Sequence, residues 1–239
     1  MREITILIKR DLILMRRIYW KKSLVFFGLT SLFDILIVFA DKKDIFIENI
    51  MGMTQEHFLD NPLLLPYGWL FLLFGLLVVF YDFLSFDLFE GTQHIMTKVK
   101  KRTSLWFSKI ITGGIAAIVI GMFQFLIHVV ANQWLHLNIN VLGKASIVTI
   151  FSMWTIYVCY QLLVLYLNYI IAFIVMSIWV VGGLSTNSPL ALVNSMMLLR
   201  NSMTACVKGC GIIIIFCIIV GAVSINRIDL LEREEKNNG

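Results

Sequence analysis

The sequence predicts an all-α membrane protein with six transmembrane helices, and three observations predict it. Hydrophobic residues fill 59% of the 239 positions against 15% charged, at a mean hydropathy of +0.85, which excludes an ordinary soluble globule. The apolar residues come in blocks, several of them long enough to cross a bilayer core, instead of alternating with polar ones. Most Lys and Arg residues sit at the ends of those blocks, where membrane proteins place them. The chain reads as a single transmembrane domain over residues 1–239.

Residues 1–22 begin it as an interfacial helix. Ile4, Leu7, Ile8, Leu12, Met15 and Tyr19 recur at three- and four-residue spacing, with Arg2, Lys9, Arg16 and Arg17 largely elsewhere around the helix. Seven bases precede the first long apolar run and no small-residue cleavage site follows, so the segment is not a cleavable signal. Span 1 covers about Ser23–Ala40 and carries Asp34, a carboxylate that costs about 2.5–3.5 kcal/mol at mid-membrane unless it is protonated, paired or hydrated. The acidic stretch 41–66, with breakers at Asn61-Pro62 and Pro66, suits the outer side. Its apolar members, among them Phe46, Ile50, Met51, Met53 and Phe58, either form an interfacial helix or cover the ends of the spans.

Span 2, about Tyr67–Tyr81, is aromatic at both ends. The segment after it, 84–104, begins acidic at Asp87 and Glu90 and ends basic at Lys98, Lys100, Lys101 and Arg102, a charge order that favours a helix despite Gly91. Span 3, Ile110–Val130, has no formal charge, and Gly113, Ala117 and Gly121 form a small-residue packing stripe. Gln124 and His128 in the same span read as hydrogen-bonding groups of the bundle, not metal ligands. From Ala145 to Leu199 no residue is charged, a length that two spans use, about Ala145–Leu165 and Leu167–Gly183, with a turn near Tyr166, Asn168 and Tyr169. The breakers Asn187-Ser188-Pro189 open a short outer or re-entrant element over 185–204, and span 6 follows at about Gly209–Ile225.

Charge sets the orientation. Fifteen of the twenty Lys and Arg residues lie before span 1, between spans 2 and 3, or after span 6, which places both termini in the cytoplasm. The four cysteines, Cys159, Cys206, Cys210 and Cys217, lie in or beside apolar runs and read as small hydrophobes.

With that topology the chain resembles the permease subunits of ABC-2 type ATP-binding-cassette transporters. The likeness covers nearly the whole length, from the amphipathic first helix to the small outer elements before span 6. Its local signature is Glu90-Gly91-Thr92, then the basic run to Arg102, then Lys109 at the start of span 3. The resemblance implies a cytoplasmic coupling helix that docks on a separate ATPase subunit through Phe86, Asp87, Phe89, Glu90, Thr92 and His94. It also implies two permease chains per assembly, identical or related, in a bacterial plasma membrane. No G-x-x-x-x-G-K-[ST] stretch occurs, so the chain itself is not an enzyme and holds no cofactor; ATP and Mg belong to the partner subunit. Small permeases of this build look like those that export antimicrobial or amphipathic peptides or confer bacteriocin immunity. A lipid-linked or small hydrophobic substrate is the alternative within the family. Asp34 in span 1 and Trp154, Tyr157, Tyr160 and Gln161 in span 4 are the candidates for a translocation path, with ordinary helix packing as the competing account of the span 4 set.

Two other classes compete. An ion-coupled secondary carrier would rest on Asp34. A membrane metallohydrolase would need convergent ligands, and His57, His94, His128 and His136 are scattered along the chain without an H-E-x-x-H pattern.

Overall fold

A computed structural model describes residues 2–40, 42–60, 65–80, 83, 101–185 and 193–227. Among them every regular element is helical: α1 (Arg2–Leu14), a π turn (Met15–Tyr19), α2 (Trp20–Phe39), α3 (Lys43–Met51), α4 (Gln55–Asp60), α5 (Tyr67–Phe80), α6 (Arg102–Leu135), α7 (Ile139–Val164), α8 (Tyr169–Gly183), a 3-10 turn (Asn194–Met196) and α9 (Met203–Arg227). Four helical stretches are long and apolar enough to cross a membrane: Glu3–Phe39, α6, α7 and α9. α5 and α8 are apolar but shorter.

The expected boundary between an interfacial helix over residues 1–22 and a separate first span is not a break. The backbone stays helical from α1 through the π turn into α2. The face that is buried runs Leu7, Asp11, Tyr19, Phe27, Ser31, with half-buried Met15 and Ser23 between, a four-residue spacing. On a regular α-helix that spacing drifts around the axis, and a π turn, with more residues per turn, reduces the drift.

α7 is the most buried of the four long stretches and packs against α3, α5, α6, α8 and α9. Its core side chains, including Met153, Ile156, Tyr157 and Tyr160, join Leu73, Leu76 and Leu77 of α5 and Cys210 and Cys217 of α9 in one apolar cluster. Close helix approach depends on glycine, most tightly at Gly113, Gly121 and Gly221. A Cβ at Gly113 would lie 2.1 Å from the Tyr157 ring, one at Gly121 2.2 Å from Ile150, and one at Gly221 2.1 Å from the Trp106 indole. Gly113, fully buried Ala117 and Gly121 thus form the stripe expected from sequence, and it packs inside the chain against α7.

The uncharged stretch turns where Tyr166, Asn168 and Tyr169 were expected to turn it. α7 ends at Val164, and the Asn168 side chain caps α8 by accepting from the Ile170 amide at 3.0 Å. The described residues of the 41–66 stretch hold α3 and α4. Phe46, Ile50 and Met51 of α3 form a second apolar cluster with Ile37 and Val38 of α2 and Leu135 of α6, so this segment covers the helix ends.

Candidate functional site

Several of the buried polar side chains pair along one seam. α1–α2 and α6 lie side by side and run parallel, because contacts recur at a nearly constant sequence offset. Asp11 meets Ser108 and Lys109, Thr30 meets Gln124, Asp34 meets His128, and Phe39 meets Trp134. The offset falls from 97–98 residues at the first contact to 94 in the middle of the seam. The π turn lies between these contacts and fits more residues into the same rise, which shifts the offset in this direction.

At the α6 N-terminal end the seam holds a charged clasp. Asp11 and Lys109 are both 0% exposed, and Lys109 Nζ lies 3.3 Å from Asp11 Oδ1. The Ser108 hydroxyl donates to the other carboxylate oxygen, and Arg10 Nε donates to Oδ1 at 3.0 Å. Lys109 Nζ also stands 3.5 Å from the centroid of the Phe83 ring, a cation–π contact in a dry setting. Tyr19 packs edge-on to the same Phe83, at 5.5 Å between centroids. The acid is therefore satisfied by two cations and a hydroxyl, as a buried carboxylate must be. The clasp ties α1 to the start of α6, the helix that follows the charged segment 84–104. The six residues expected to meet an ATPase, Phe86, Asp87, Phe89, Glu90, Thr92 and His94, lie outside the described residues.

Further along the seam Asp34 is 2% exposed, and its Oδ2 lies 3.2 Å from His128 Nε2. Phe46 of α3 covers the imidazole edge-on at 5.7 Å. One turn before His128, Gln124 Nε2 donates to Thr30 Oγ1 at 2.8 Å, and Thr30 in turn donates to the Phe27 carbonyl. Asp34 is thus neither hydrated at an outer helix end nor alone: its insertion cost is offset by an imidazole partner from α6.

Asp34 and the span 4 candidates are not gathered into one path. Tyr157 is fully buried against Gly113, and its hydroxyl reaches the Lys109 carbonyl at 3.5 Å. Tyr160 donates to the Tyr169 carbonyl at 3.3 Å, closing the α7–α8 turn. Trp154 donates to the Ile110 carbonyl at 3.1 Å and lines an apolar groove of about 280 Å³ between α6 and α7 with Ile111, Gly114, Ile118 and Ile150. Gln161 is fully buried, and neither its Nε2 nor its Oε1 finds a hydrogen-bond partner.

The sequence reading missed Asp11. The signal was present: Asp11 stands four residues after Leu7 and four before Met15, on the apolar face of a helix whose opposite face carries the bases. An acid there needs a partner, and Lys109, near the start of the next long helix, supplies one beside the neighbouring Arg10.

At the opposite end, Arg200 joins three elements. It donates to the Met53 carbonyl at 3.0 Å, to Asn194 Oδ1 at 2.7 Å and to the Leu184 carbonyl at 3.0 Å. Burial lowers its pKa, and these acceptors compensate the desolvated guanidinium. Among the described residues no group of three or more His, Cys, Asp or Glu side chains is placed to hold a metal ion. No protein-family model, no curated protein and no solved structure matches the chain.

Proposed function

We propose that this chain is the membrane-spanning permease subunit of an ABC-2 type exporter, driven by ATP that a separate subunit hydrolyses. The observation that carries the reading is the Asp11–Ser108–Lys109 clasp. It fixes the amphipathic first helix to the start of α6, directly after the charged 84–104 segment, so a force on that segment is delivered to two long helices together.

In this reading α2, α5, α6, α7, α8 and α9 are the six spans, and the bilayer thins locally around the shorter α5 and α8. The end bearing the clasp and most of the bases faces the cytoplasm of a bacterial cell. Phe86 and Phe89 anchor the ATPase subunit, with Asp87, Glu90, Thr92 and His94 beside them in the sequence to supply polar contacts around an apolar one. Two such permease chains pair in the complete transporter, and closure of the ATPase pair around ATP and Mg rocks the spans. The cargo is an amphipathic or antimicrobial peptide, drawn from the membrane into a cleft between α6, α7 and their neighbours.

Affinity purification from detergent-solubilised native membranes, with ATP hydrolysis measured on the product, tests the class. A copurifying ATPase whose activity falls on Phe89→Ala with Glu90→Ala supports the proposal. Active membranes that yield the chain without any ATPase overturn it and leave an ion-coupled carrier built on Asp34 and His128.

A further inference from the structure

Beside the Asp34–His128 pair is a cavity of about 10 Å³, lined by Ile50, Leu72, Gly121, Gln124, His128, Ser146 and Thr149. That is the space one water molecule needs. Its polar lining is one-sided. Gln124 is 2% exposed, its amide nitrogen is committed to Thr30, and its Oε1 has no hydrogen-bond partner. The Ser146 hydroxyl donates to the Leu142 carbonyl and the Thr149 hydroxyl to the Ala145 carbonyl, each at 2.9 Å, so both oxygens offer only lone pairs to the cavity. The His128 Nε2 is taken by Asp34, which leaves Nδ1 as the ring atom for any guest. Apart from His128, the lining from α3, α5, α6 and α7 contains no ionisable side chain, and Asp34 reaches the cavity only through the imidazole.

We propose that this cavity binds one ordered water, making Asp34–His128 a hydrated pair inside the bundle and not a dry structural one. The guest must be a hydrogen-bond donor, because Gln124 Oε1, Ser146 Oγ and Thr149 Oγ1 are acceptors. Water meets that demand with two O–H groups. A bound Mg or Ca ion would need about six or more oxygen ligands, and three protein oxygens without a carboxylate do not supply them. The water satisfies the orphaned Gln124 oxygen, whose desolvation would otherwise go uncompensated. It also joins two separate polar contacts, Thr30–Gln124 and His128–Asp34, into one chain across α2, α6 and α7.

The site stands independently of the permease reading and is tested on the purified full-length chain in lipid vesicles. With histidine rings labelled in ¹⁵N, solid-state NMR reads transfer of magnetisation from water protons to each ring, and His128→Gln identifies the His128 signals. Transfer to the His128 ring is expected in the unmodified chain and its loss in Ser146→Val, which fills the cavity with an apolar side chain. Thr149→Val, an isosteric change that removes one acceptor, gives a reduced signal should Ser146→Val fail to fold. A His128 ring that receives no magnetisation from water, or one whose transfer is the same in Ser146→Val and Thr149→Val as in the unmodified chain, overturns the proposal.

Discussion

Removal of the Asp11 carboxylate is the sharpest perturbation the structure offers. In Asp11→Leu the Lys109 ammonium stays in the bundle core and keeps the Phe83 ring but loses its carboxylate, and the Ser108 hydroxyl loses its acceptor. Removing one member of a buried ion pair costs about 3–5 kcal/mol, because the remaining charge keeps its desolvation penalty without the attraction that offset it. Across a chain of this size, 3 kcal/mol lowers the melting temperature by about 6–12 °C. The matched variant Lys109→Met leaves the Asp11 carboxylate with Arg10 and Ser108, and its stability falls by less. Together, Asp11→Leu and Lys109→Met replace charge with apolar volume, and the double variant recovers to within about 1 kcal/mol of the parent. The assay is a double-mutant cycle on the detergent-purified chain, with thermal unfolding followed by size-exclusion fluorescence. Costs of the single changes that add to within about 0.5 kcal/mol in the double variant would refute the clasp, because independent sites behave that way.

Other outcomes follow from the packing. Gly113→Ala forces a methyl into the Tyr157 ring and costs about 1–3 kcal/mol, and Tyr157→Leu on the same chain returns part of that loss; thermal unfolding of the three variants checks it. The sulfurs of Cys159 and Cys217 lie 3.7 Å apart, so oxidation with copper–phenanthroline joins α7 to α9 within one chain, seen by mass spectrometry as the loss of two hydrogens and absent in Cys217→Ser. Arg200→Met removes the donors that hold Met53, Asn194 and Leu184 and destabilises the chain by about 2 kcal/mol, with faster proteolysis between α3 and α5 as a second readout.

What the sequence determined by itself is the helical, membrane-type character and most helix positions. Unbroken apolar runs of bilayer length admit little else, since backbone groups in lipid must bond within their own segment. The turn at Tyr166–Tyr169 was legible for a local reason: Asn168 is a helix cap whose partner amide lies two residues on. The glycine stripe was legible too, because small residues at four-residue spacing leave a groove whatever fills it. Only the tertiary structure decided what fills it, namely Tyr157 and Ile150 of the same chain. It likewise turned Asp34 from a lone acid into the buried partner of the His128 imidazole and exposed the role of Asp11. Both carboxylates find their partners 94 to 98 residues away on α6. A desolvated charge announces in sequence that it needs a partner, but which side chain answers depends on the parallel register of two helices, and that register is set by packing along the whole seam.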